Sequence, residues 1–207
     1  MVGKSAFTLI ELIFAIVVIS ISVVSLPMMS QVVSKGIDSN LVQEAIFATS
    51  AKLNDAVTYS WDENSIDPAL PEASSRTINT GATDCNTTQG QRPGYILQPL
   101  HRICLSDPDI RPTAPLNLGS DAGDLDDLDD LIETDINLFS NASSTDAYKK
   151  AYTSTITVKY ASFGTVTEAS QNVKKITAII SDADDILIKL STYSSNIGEI
   201  DYFRRTF

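Results

Sequence analysis

The run "FTLIELIFAIVVISISVVSL", residues 7–26, limits the fold of this chain more than any other stretch. Glu11 is its one charge. As a helix, about 20 residues cover roughly 30 Å, one hydrocarbon core. A secretory signal peptide, a plain transmembrane anchor and a more specialised membrane element all meet that length. Glu11 separates them. A carboxylate placed five residues into an apolar run is costly unless it is paired. A signal peptide gains nothing from it. A carboxylate kept there implies a partner that is present in some state of the protein.

The stretch "KSAFTLIELIFAIVVISI", from Lys4 to about Ile21, resembles the N-terminus of bacterial type IV prepilins and type II secretion pseudopilins. Their pattern is a short basic leader, a small residue, then F-T-L-I-E opening about twenty apolar residues. Ala6 stands where the family usually has glycine. The resemblance implies that residues 1–6 are a leader. Prepilin peptidase would cut between Ala6 and Phe7 on the cytoplasmic side and N-methylate Phe7. It also implies that Glu11, fifth after the cut, pairs with the amino terminus of a neighbouring pilin or pseudopilin subunit. Physical chemistry supports that role. A buried carboxylate and a buried amine are each costly alone, and bringing them together in an apolar bundle rewards correct register. The implied location is the bacterial inner membrane, single-pass with the head in the periplasm, and later a pilus or pseudopilus.

Pro27 follows the apolar run and predicts a bend or a locally unwound turn, since proline removes one helical hydrogen bond. Beyond it Val33, Ile37, Leu41, Ala45, Leu53 and Val57 keep a four-residue beat, with Val42 and Ile46 beside them. Polar residues fill the other positions. This predicts an amphipathic helix to about Tyr59 whose apolar stripe docks on a sheet. The expected organisation is a helix over 7–60 and a globular head over 61–207.

From Trp61 to about Gly123 the sequence is rich in proline and irregular, with "GYILQPL" and "HRICL" as candidate short strands. Cys85 and Cys104 form a disulfide if the head lies outside the cytoplasm. Otherwise they are two free buried thiols. Closing that loop contributes about 3 kcal/mol in the chain-entropy account. With only His101 nearby, the pair cannot complete a tetrahedral zinc shell. The Asn86 and Asn141 glycosylation sequons read as chance matches.

"DAGDLDDLDDLIETD" follows. Leu125, Leu128 and Leu131 recur every three residues, as in a short helix with an apolar stripe or a loop with anchored leucines. Asp124, Asp126, Asp127, Asp129 and Asp130 either form a solvated acidic face or bind Ca²⁺, as several pilins and pseudopilins of the resembled family do. The spacing is not that of an EF-hand. Over a short span, "DDLDD" followed by strands is also similar to minor pilins of the mannose-sensitive haemagglutinin type.

The C-terminal third alternates. "AYTSTITVKYAS", "NVKKITAIISD" and "DILIKLSTYSS" read as strands of an antiparallel meander, the last two joined as a hairpin through "ADD". "YFRRTF" reads as a final edge strand or a tail. The predicted fold class is α+β: a long N-terminal helix, half membrane-spanning and half amphipathic, packed on an antiparallel sheet in a pilin-like arrangement. No P-loop, nucleophile elbow, dinucleotide fingerprint or H-E-x-x-H appears, so a structural subunit is expected in place of an enzyme. The formal net charge of -11 opposes nucleic-acid binding. The first function expected is a minor subunit of a type IV filament. The alternatives are a pseudopilin of a type II secretion system and a membrane-tethered periplasmic binding domain, with or without calcium.

Overall fold

The computed structural model describes residues 8–67, 74–81, 85, 90–92, 102–119, 126–138, 152–162, 165–167, 169–183 and 185–199. Helix α1 runs over Leu9–Ala56. The chain divides into two compact units, Met1–Glu44 and Ala45–Phe207, and the division falls inside this helix.

The first unit is helix alone over its described residues. Its best 18-residue window has a mean hydropathy of 2.7 and is 0% buried. This is one helix long and apolar enough to cross a membrane. Ser20 and Ser22 donate their hydroxyls to Ile16 O and Val18 O at 2.7 and 2.8 Å. These two hydroxyls need no water, which suits an apolar surrounding. The helix continues through Pro27, so the locally unwound turn is not present. The proline removes one N–H, and its fixed φ is compatible with the helix.

The second unit is a helix-on-sheet layer. Strands β1 (Glu133–Asn137), β2 (Tyr152–Ser162), β3 (Thr165–Val166), β4 (Val173–Asp182) and β5 (Asp185–Ser195) form a five-stranded antiparallel sheet. The order is β1-β2-β4-β5, with β3 paired to β2. The three predicted strands appear as β2, β4 and β5. The alternation in β2 places Tyr152, Ile156, Val158 and Tyr160 inward, and all four are buried. Period-two patterning is what puts them on one face. β1 was not predicted; only "IETDIN" marks it. The tight β4–β5 connection closes at the pair Asp182↔Asp185, with Ala183 at φ 53.

The helix residues that pack in this unit are Ala45, Thr49, Leu53 and Ala56. Of the expected stripe, Ala45 and Leu53 are buried, whereas Ile46 and Val57 are exposed, as are Val33 and Ile37 in the first unit. Steps of four, four and three residues hold one helical face better than an unbroken four-residue beat, which drifts round the helix. Leu53 and Ala56 join Trp61, Leu128, Ile156, Val158, Tyr160, Ile176 and Ala178 in the core. Burying each large apolar side chain contributes about 1.5–3 kcal/mol. Lys52 on the helix pairs with Glu133 on β1.

The irregular region carries no strand among its described residues, only isolated bridges such as Thr77↔Cys104 and Gln91↔Ile103. Of "HRICL", Ile103 and Cys104 therefore make isolated bridges and not a strand. "GYILQPL", the sequons, His101 and "YFRRTF" lie outside the described residues. Cys85 and Cys104 are disulfide-bonded, with Cα atoms 6.1 Å apart. Asn196 ties this region to the sheet end: its Oδ1 accepts from Ile78 N at 3.1 Å and its Nδ2 donates to Ile78 O at 2.7 Å.

Candidate functional site

Two groups of residues invite a functional reading, and they lie in different units. In the first unit, Glu11 stands in the first turn of α1 and is exposed among exposed apolar side chains. Leu9, Ile10 and Phe14 around it are each more than 70% accessible. A surface that apolar is covered by lipid or protein in use. Ala6 and Phe7, the predicted cleavage and methylation positions, lie outside the described residues.

In the second unit the acidic run does not behave as one group. Asp124 lies outside the described residues, Asp126 is exposed and Asp130 is half-buried. Asp127 and Asp129 are each 1% exposed, which overturns a uniformly solvated acidic face. The region forms a single 3₁₀ turn, Asp129–Leu131, with Leu128 wholly buried as its anchor. Asp130 accepts from Asp126 N at 2.9 Å and so closes the approach to that turn.

Asp127 and Asp129 meet a carboxylate that the sequence reading missed, Asp62. One oxygen from each of the three lies within 4.8 Å of the others. Two of them accept from Lys174, whose Nζ stands 2.7 Å from Asp129 Oδ1 and 3.1 Å from Asp62 Oδ2. Lys174 and Asp62 are both 0% exposed. The lysine sits between aromatic rings, 4.9 Å from the Trp61 centroid and 5.8 Å from that of Tyr160. Cation–π attraction adds to its two charge-assisted hydrogen bonds.

The backbone completes the arrangement. Asp62 caps the 3₁₀ turn Glu63–Ser65 by accepting from Asn64 N, and accepts from Thr113 N at 3.0 Å. Asp129 Oδ2 accepts from Gly119 N at 2.9 Å. Asp127 accepts from Asp129 N at 2.7 Å and Glu63 N at 2.8 Å. Tyr160 donates its hydroxyl to Thr113 O at 2.6 Å. Burial, with Asp62 and Asp129 nearby, pushes the Tyr160 hydroxyl far above its usual range, so it stays a donor. Burial likewise pushes the Asp127 carboxyl up to about 7; Lys174 opposes this and Asp129 reinforces it.

Three carboxylates suit a hard divalent cation. Here a buried ammonium already holds two of them, and Ca²⁺ cannot share that space with Lys174. With the lysine in place the set does not fit a calcium ion. Its evident chemistry is structural. A neutralising lysine on β4 joins the segments around 62, 113, 119 and 129, each of which would otherwise bury an uncompensated charge or donor. The sequence carried a signal for Lys174. Alternation from Ile176, Ala178 and Ile180 puts it on the inward face of β4, where a lysine demands buried acids.

No family model, curated protein or solved structure matches this chain.

Proposed function

We propose that this chain is a structural subunit, of the minor-pilin kind, in a type IV pilus-like filament of the bacterial cell envelope. The observation that carries the reading is the exposed apolar helix of the first unit with one carboxylate near its start. A solitary anchor needs no such acid, whereas a helix that leaves lipid for a bundle of its own kind gains register from it. Prepilin peptidase would release the leader at Ala6–Phe7 and methylate Phe7. The new amine of one subunit would then meet Glu11 of the next. The α+β head and its disulfide are consistent with an extracytoplasmic body.

The test has two arms. Mass spectrometry of the native protein should find a mature N-terminus at methylated Phe7; an intact Met1 points to a plain membrane-tethered domain. Glu11→Ala should leave membrane insertion unchanged and abolish co-assembly with other filament subunits. Normal assembly by that variant defeats the proposal.

A further inference from the structure

Lys174 is a primary amine as well as a counter-ion, and it is sealed from bulk water together with its two acids. The side chains of Lys174, Asp62 and Asp129 are all 0% exposed. Each reacting group is also fixed in place. β4 is paired on both sides at this point, Lys174 lying opposite Tyr160 on β2 and Ser194 on β5. The Asp129 carboxyl is held at both oxygens, Oδ1 by Lys174 Nζ at 2.7 Å and Oδ2 by Gly119 N at 2.9 Å. Gly119 has φ 72, and a Cβ there would stand 2.9 Å from Ile132 Cδ1 and 3.3 Å from Asp129 O. Glycine is what lets that N–H approach so closely. An amine against one oxygen of a carboxyl, with a backbone donor on the other, is the geometry of acyl transfer.

A third acid supplies the proton traffic. Asp127 is 1% exposed, one of its oxygens lies within 4.8 Å of an Asp129 oxygen, and the two side chains share a hydrogen bond. Burial keeps a proton on Asp127 up to about pH 7.

We propose that Lys174 and Asp129 condense into a side-chain amide, a covalent brace between β4 and the 3₁₀ turn at 129–131. Asp62 Oδ2, 3.1 Å from Nζ, takes one proton from the ammonium. Asp127 passes its own proton to Asp129 Oδ1. The freed nitrogen lone pair forms the N–C bond at Asp129 Cγ, and Gly119 N–H stabilises the charge that develops on Oδ2. The Cγ–Oδ1 bond then breaks. Oδ1 leaves as water, carrying the Asp127 proton and a second proton from nitrogen. The proton left on Asp62 stays within the Asp62–Asp127 pair. In the product the amide oxygen keeps Gly119 N and the amide N–H keeps Asp62, so neither is orphaned. Closure replaces two buried charges with a neutral group and releases water to bulk. Fixed geometry of this kind is worth an effective concentration on the order of 10⁵–10⁸ M, which offsets the unfavourable balance of condensation in water. The ion pair is the open form, present until the bond closes. This inference does not depend on the filament reading.

The full chain in detergent provides the test. Intact-mass spectrometry under reducing conditions should find it lighter by one water than the sequence from its observed N-terminus. Digestion should release a branched peptide joining Lys174 to Asp129, and trypsin should fail to cut after Lys174. Lys174→Arg keeps the cation and should show the full sequence mass with no branched peptide. Asp127→Asn should fold, as reported by Trp61, the sole tryptophan, and close roughly a hundredfold more slowly at matched times after synthesis. A parent chain at its full sequence mass overturns the proposal whether or not the variants fold. So does a branch at Asp62 in place of Asp129, or closure of Asp127→Asn at the parent's rate.

Discussion

Raising the pH from 5 to 8 should destabilise the head through one carboxyl group, that of Asp127. Its folded value of about 7 compares with 3.8 for an exposed aspartate. Between those values the folded protein keeps a proton that the unfolded chain has released. Stability therefore falls as pH rises across that window, and it is fully present only below the lower value. Above about 7 the contribution is flat. A gap of about 3 pH units, at 1.36 kcal/mol each, sets a ceiling of roughly 4 kcal/mol. The part between pH 5 and 7 is roughly 2–3 kcal/mol, enough to shift a urea midpoint clearly. The assay is urea unfolding of the full chain in detergent at pH 5, 6, 7 and 8, followed by Trp61 fluorescence. Asp127→Asn cannot titrate, so its midpoint should vary much less over that range. The variant also places an amide against Glu63 N, now bonded to the carboxylate at 2.8 Å. That costs about 1 kcal/mol at every pH and leaves the slope as the discriminating quantity. Equal slopes for parent and variant would refute the reasoning.

Lys174→Met should destabilise the head by about 3–5 kcal/mol, measured as the urea midpoint at neutral pH, because it strands buried carboxylates. Millimolar Ca²⁺ should leave the melting temperature of the parent unchanged, since the ammonium already occupies the acids; a rise would show that calcium displaces it. Reducing Cys85–Cys104 should lower stability by about 3 kcal/mol in matched unfolding curves with and without reductant. Ala183→Gly should raise stability by roughly 1 kcal/mol, because Ala183 sits at φ 53 in the β4–β5 turn; a lowered melting temperature would contradict that.

What could be read from the residues alone followed the strength of each periodic signal. The apolar run and the three long strands repeat with a period that sterics enforce, so the helix, β2, β4 and β5 were legible nearly to the residue. Cys85 and Cys104 were legible as a pair, conditional on the compartment. β1 was not, because five residues with two acids and a bulge carry no alternation. The acidic run was read as one group, either a solvated face or a calcium site, for a related reason. Its charges look alike in one dimension, and their fates diverge only when β4 delivers Lys174 from far along the chain. Asp62 was invisible as a member of that group, although "DENS" is a good cap for a short turn. An inward-pointing lysine in an alternating strand was the one clue available, and it asks for acids without saying which.

The central lysine also sets a timetable. Its partners at Asp129 and Asp62 precede it by 45 and 112 residues. A polypeptide delivered N-terminus first therefore presents the acids long before their counter-ion arrives. Until β4 emerges, the head cannot close its middle, and the earlier loops stay open and threadable. If the body crosses a membrane before it folds, as the proposed function requires, this delay keeps the chain translocation-competent. Its cost is a late interval in which almost the whole head is made but not yet locked.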